Sequence, residues 1–284
     1  VYNIFIHTNI HGDKMTYLPE VNPEDVPFSP EGLSIPLPQM ISIPAGWFWM
    51  GIPDKKVMKL YQDVDWAREW YEKGMFRAEQ PQTKVQLKAY EIGKYPITNE
   101  DYYQFIWKAS YRVPKGWVGF RYAEGYDVHP VVGISMKDAT EYCKWLSSVT
   151  GSKFRLPTEA EWERAAAGTD CRIYPWGDAF DPWRCNTLES GKNGTTPIGS
   201  YSPAGDSPTG CVDMCGNVYE MTSDKLYPYP YGEIPPNAAR ELRYVIRGGA
   251  FYYSHKLARC SAREGAPHDF ISPAIGFRVV RELD

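Results

Sequence analysis

The segment Asp213-Met-Cys-Gly-Asn-Val-Tyr-Glu220 sets two carboxylates seven residues apart with a glycine between them. Calcium takes roughly six to eight oxygens and accepts a mixture of carboxylates and backbone carbonyls from an irregular loop, so this is a candidate calcium segment. An acidic turn without an ion is the plain alternative. Glu159, Glu161 and Glu163 alternate within one short stretch and invite arginine partners; at least one is expected to sit in a solvated first helical turn. Arg278 beside Gly276 is expected to pair with a buried carboxylate, and such pairs more often serve architecture than catalysis. Six cysteines occur, at 143, 171, 185, 211, 215 and 260. Cys211 and Cys215 are four apart with no histidine nearby, which is not zinc spacing, so paired or free buried thiols are expected. Two further segments, Phe251-Tyr-Tyr-Ser-His255 and Glu264 to Ser272, concentrate Tyr, Phe, His, Ser and Asp. That is the chemistry of recognition: rigid aromatic area with adaptable hydrogen bonding.

Something must position these residues. Among the 284 residues, 43% are hydrophobic and 15% aromatic, with 24 Gly and 24 Pro, a composition for a large core with long connections pinned by big side chains. The net charge of −4 gives no overall basic field, so nucleic acid is not an expected partner. No apolar run approaches the length of a membrane span. Val1 to Ile10 is neither basic nor apolar enough for a signal peptide; the compartment stays open, exported or cell-surface placement included.

Residues 1–39 are proline-rich and aperiodic and are expected to form an extended arm, draped on the domain or docked to another chain. The domain proper is expected over 40–284. Met40 to Gly51 alternates like a hairpin broken at Pro44-Ala45-Gly46, and Val85 to Ile92 like a strand. Between them, 54–77 carries helical spacing at Leu60, Val64, Ala67 and Tyr71 and is expected to be an inserted surface helix. Thr98, Ser135 and Thr158 each precede an acidic residue three positions on, predicting three short capped helices. From Thr169 to Asn237 periodicity disappears, and so long a loop needs bound ions or buried aromatics to hold it. Arg243 to Phe251 and Ile275 to Arg281 close the chain as strands.

The motifs also come in a familiar order. Ile43-Pro-Ala-Gly46, Tyr95-Pro-Ile-Thr-Asn99, His129-Pro-Val-Val132, Arg155-Leu-Pro-Thr-Glu-Ala-Glu-Trp-Glu163, Tyr174-Pro-Trp-Gly177, Gly216-Asn-Val-Tyr-Glu220, Arg247-Gly-Gly249 and Gly276-Phe-Arg278 follow one another over roughly residues 40–281. This series resembles the formylglycine-generating enzyme (sulfatase-modifying factor) family, and it leaves the arm and the 54–77 stretch outside. The resemblance implies an α+β, irregular, loop-rich fold of the C-type-lectin type, with short antiparallel strands and few helices.

The resemblance also implies sites. A calcium loop would use the side chains of Asp213 and Glu220 and the carbonyls of Gly216 and Val218. A second calcium site would use Asn186 and Thr187, but Ser190 stands where the family has a charged ligand, which weakens it. The family's oxidase holds copper(I) on two cysteines after Arg-Gly-Gly. Here Tyr253 takes the first position, and the second falls in a shortened loop near Leu257 and Ala258, so copper chemistry is not expected and no catalytic residue is assigned. The five histidines form no cluster like that of the hercynine sulfoxide synthases, the family's iron-dependent branch. The remaining expectation is a face for a protein or small-molecule ligand made by Phe251, Tyr252, Tyr253, Ser254, His255, His268, Asp269 and Phe270, with Trp117 and Phe120 at its rim. The variable proteins of diversity-generating retroelements look similar. The alternatives are an accessory subunit of a larger assembly and an oxidoreductase with a non-standard site.

Overall fold

The structure, a computed structural model, describes residues 37–230 and 243–283. The 1–39 arm therefore lies outside the described residues except for its last three. Among the described residues, five α-helices and three small sheets make up the fold. One sheet joins strands β1 (Met40–Ile43), β4 (Tyr90–Gly93), β10 (Val280–Glu282) and β5 (Phe154–Arg155), all antiparallel, so the two ends of the domain meet in it. β2 (Gly46–Met50) and β3 (Thr83–Leu87) form a separate ribbon. The third sheet runs β8 (Arg263–Pro267), β7 (Arg243–Arg247), β6 (Tyr219–Lys225), β9 (Ile275–Gly276), with only the last pair parallel.

Three local expectations change. Met40 to Gly51 does not fold back on itself: β1 pairs with β4 and β2 with β3, because Pro44-Ala45 redirects the chain from one sheet to another. Val85 to Ile92 is likewise divided between β3 and β4. The 54–77 stretch is two helices, α1 (Asp54–Asp63) and α2 (Asp65–Glu72), separated by extended Val64. Nor is it only a surface addition. Val57, Leu60, Ala67 and Trp70 pack with Phe76, Ile173 and Tyr174 in one buried cluster.

The three predicted caps are present in full. Thr98, Ser135 and Thr158 each accept the amide three residues on, while Asp101, Asp138 and Glu161 bond back to the cap amide. They start α3 (Asn99–Ala109), α4 (Met136–Thr150) and α5 (Glu159–Ala167). α3 and α4 meet through stacked Tyr102 and Tyr142, 5.7 Å apart, both in contact with Phe277.

The stretch from Thr169 expected as loop contains strand β6, whose pairing is non-local and so invisible to periodicity; two buried asparagines, Asn186 and Asn217, help hold the irregular part before it. Asn217, at φ 64°, spans Thr196 with its amide, taking the Thr196 N–H at 2.9 Å and donating to its carbonyl at 3.1 Å. Asn186 donates to the Gly194 carbonyl and to Asn217 Oδ1. These side chains stand in for the missing backbone ladder, satisfying polar groups that burial would otherwise leave unpaired.

Candidate functional site

Strand alternation gives the β8-β7-β6 sheet two chemically opposite faces. Glu220, Arg247 and Arg263 share one, through the pairs Glu220↔Arg247 and Arg247↔Arg263. α5 packs over this face and fills it with carboxylates. Arg247 donates to Glu159 at 3.1 Å and to Glu163, and it also reaches the carbonyls of Ser261 and Cys260. Arg263 grips Glu159 through two nitrogens at 2.6 and 2.9 Å. Glu159, Glu161 and Glu163 are all buried, which corrects the expectation of a solvated one. Burial raises the Glu163 carboxyl to about 6, against the opposing pull of Arg247. Arg278 finds its buried carboxylate as expected: it meets Glu220 bidentately at 2.6 and 2.7 Å, and Trp162 Nε1 donates to Glu220 at 2.8 Å. A Cβ on Gly249 would come within 2.7 Å of the Ala258 Cβ, so only glycine lets the chain pass there.

The predicted metal loop lies at the edge of this face. Asp213 is at φ 57° and Gly216 at φ 77°, backbone that turns successive peptide groups toward one side. Asp213 is buried, its Oδ2 accepts the Gly199 amide at 2.8 Å, and burial raises its carboxyl to about 6. A desolvated carboxylate of this kind suits a cation. Glu220 suits one less, since both its oxygens are already engaged by Arg278 and Trp162. Asn186 is committed as well: its Oδ1 accepts from Ser190, while Thr187 is buried beside it. Among the described residues no group of three or more His, Cys, Asp or Glu is gathered as a metal centre.

On the other face lie Tyr219, Met221, Tyr244, Ile246, Glu264 and Ala266, aligned through Met221↔Ile246 and Ile246↔Glu264. Here the aromatic segment after β7 folds over the sheet. Tyr253 packs edge-on against Tyr219 at 5.2 Å, Tyr252 lies 4.4 Å from Tyr253, and Phe251 lies 4.9 Å from Tyr252. Tyr252 is exposed, while Phe251 and Tyr253 are half-buried against the core.

The other predicted face residues do not all join them. Ser254 turns away to donate to Glu189 at 2.9 Å. His255 stacks on Phe180 at 4.0 Å, meets Trp66 edge-on and bonds to the Tyr174 hydroxyl at 2.8 Å; burial lowers its pKa to about 4, so the ring is neutral. His268 and Asp269 are exposed and Phe270 is half-buried, but they follow β8 and so lie at the opposite end of the antiparallel β7–β8 pair from Phe251. His268 is beside Tyr244 at 5.5 Å. Trp117 is packed among Tyr102, Tyr103 and Tyr122, whereas Phe120 is exposed. Tyr219 is the residue that sequence reading left out of this face, and Glu264 opened one of its two recognition segments without being named among the face residues. The signal for Glu264 was a carboxylate in a strand register otherwise given to apolar side chains, visible only once the pairing is known.

The profile of the Sulfatase-modifying factor enzyme 1-like domain matches residues 28–283. A formylglycine-generating enzyme from Streptomyces coelicolor is 38% identical over 182 residues, 55% of this chain and 54% of that protein, so this chain spans about half the length of that relative. Among solved structures, PvdO from Pseudomonas aeruginosa superposes with a TM-score of 0.65 at 25% identity, over 87% of this chain and 95% of its own. Treponema denticola variable protein 1 gives a TM-score of 0.65 at 20% identity, over 85% and 94%, and shares the fold.

Proposed function

The chain belongs to the sulfatase-modifying factor family, and from that premise we propose that it is a ligand-binding or display module that works without the family's copper chemistry. The observation that carries this reading is the aromatic cover of the β7–β6 face. Phe251, Tyr252 and Tyr253 form a contiguous set of rings, one of them exposed, on a rigid sheet that the ion pairs of the opposite side fix in place. Large rings of few rotamers on a rigid support are the anchors of recognition surfaces.

Copper(I) requires soft ligands. Residues 247–259 contain no cysteine, and Cys260 is buried in the cluster of Trp162 and Ala165, its thiol pushed up by burial. The residues at this face therefore do not fit that ion. The loop at Asp213 is part of the same proposal as a structural calcium site, with Asp213 as its charged ligand and the neighbouring carbonyls as the others. Selection of a displayed peptide library on the immobilised full chain tests the binding reading. Peptides that bind wild type and fail on Tyr252→Ala are expected; a library in which every binder is indifferent to Tyr252 and Tyr253 rejects it.

A further inference from the structure

The ligand face contains a half-buried carboxylate, Glu264, that makes no ion pair among the described residues. Glu264 lies on the core side of the sheet, opposite Ile246 and in line with Met221, in a register where an apolar side chain would be expected. Every arginine on β7 and β8 points the other way: Arg243, Arg247 and Arg263 occupy the alternate positions, and the latter two are committed to Glu159 and Glu163. No ion pair reaches Glu264 among the described residues, and the amide of Gly265 is the backbone donor it uses. Burial pushes its carboxyl up to about 7.

A second, independent feature lies beside it. Tyr219, on β6 and the same face, is buried, and its hydroxyl has no hydrogen-bond partner. A buried phenol left unpaired is uncommon and marks a place where another group belongs. The Tyr219 ring and the carboxylate are close enough for Glu264 to be the largest electrostatic influence on that phenol, and it acts on Tyr253 too. Tyr253 packs on the Tyr219 ring and Tyr252 on Tyr253, with Tyr252 the exposed one.

A carboxyl group that a bound cation would hold in its ionised, acceptor-only form, a phenol oxygen free to accept, and two aromatic walls form a site for one chemical class. We propose that Glu264 and the Tyr219 hydroxyl, walled by Tyr252 and Tyr253, hold the cationic head group of the bound ligand, an ammonium or a guanidinium. The carboxylate supplies the charge-assisted bond, the phenol takes a second N–H, and the ring faces favour the cation over a neutral amide. An anion is repelled by Glu264, and an alkyl group would leave both oxygens unpaired. The inference rests on the ligand-face reading and names the substrate class for it.

The test extends the peptide selection, with phenethylammonium and neutral phenethyl alcohol as soluble competitors. Enriched peptides are expected to carry Lys or Arg, and phenethylammonium but not the alcohol displaces them. Glu264→Gln is expected to weaken them about tenfold or more, since a bond to a charged group is lost, and Tyr219→Phe to weaken them to a smaller extent. Melting curves confirm that both variants fold. Peptides that require Tyr252 but show no preference for a cation, or that bind Glu264→Gln as well as wild type, overturn the cation site and leave the ligand face standing. An absence of any Tyr252-dependent binder overturns both.

Discussion

The two faces of the β8-β7-β6 sheet solve the problem of buried charge in opposite ways. Beneath α5, Arg247, Arg263 and Arg278 meet Glu159, Glu163 and Glu220 at hydrogen-bond distance, and among the described residues there Arg247 Nε and the hydroxyl of Tyr229, whose ring lies 4.1 Å from the Arg263 guanidinium, are without a partner. On the aromatic side one carboxylate and one phenol are left over. Buried charges cost free energy unless paired, so the first arrangement is what a scaffold needs. The second is the arrangement that the proposed ligand would complete. The strands are the same; what differs is which alternate residue is ionic. The comparison teaches that the charged motifs most visible in this sequence are architectural, while the proposed recognition surface lies on the side with fewer of them.

The sharpest way to break this contrast is to remove one partner on the α5 side. Arg278→Ala leaves Glu220 buried without its guanidinium and is expected to cost about 3–5 kcal/mol, enough to unfold much of the population. Urea melts measure it, and a loss below 1 kcal/mol, on the order of a surface change, contradicts the scaffold role. Next in size is calcium at the edge of that face. A saturating ion bound to the folded state alone adds about 3 kcal/mol when free calcium is roughly a hundred times Kd. EGTA is therefore expected to lower the melting temperature of wild type and to leave Asp213→Ala unmoved; identical melts with and without chelator remove the ion from the account.

On the aromatic side stability and binding should separate. Tyr252→Ala is expected to cost a selected ligand about 2 kcal/mol of affinity, while its melt shifts by less than about 0.5 kcal/mol. Equal losses in both would make the ring packing and nothing more. Chemistry separates too: loading with copper(I) and oxygen is expected to leave a sulfatase-type cysteine peptide unoxidised, and an aldehyde product in the mass spectrum would restore the enzyme reading.

The smallest effect is a pH slope. Glu264 has its folded pKa raised to about 7, chiefly by burial, in the company of Tyr219, Tyr252 and Tyr253 and with Arg243 among the charges that oppose the shift. The folded state then holds a proton that the unfolded chain has released between about pH 4.5 and 7, so stability falls as pH rises through that window. Glu264→Gln should flatten this part of the profile, and an unchanged slope assigns it to other groups, such as Glu163.

Much of the fold could be read from local sequence. Each helix start from α3 to α5 is written in a cap residue and an acid three positions later, a device that acts within one turn and needs no distant partner. The pairing of the strands could not be read this way. Met40 to Gly51 alternates as a hairpin would, yet each half bonds to a different partner, because alternation reports burial on one side and says nothing of the neighbour. The candidate site was legible in part. Tyr252 and Tyr253 stand out by type, whereas His255 has the same chemistry in sequence but is half-buried against Phe180 and Trp66.

The sequence by itself determined the family, the capped helices, the arginine-carboxylate architecture and the aromatic segment, since each depends on residue type at short spacing. Only the tertiary structure decided which carboxylates are matched. Glu163 on α5 and Glu264 on β8 are both glutamates raised by burial, but one meets Arg247 and the other makes no ion pair among the described residues. That difference follows from strand register, which turns alternate side chains to opposite faces and is fixed by pairing between segments far apart in the chain.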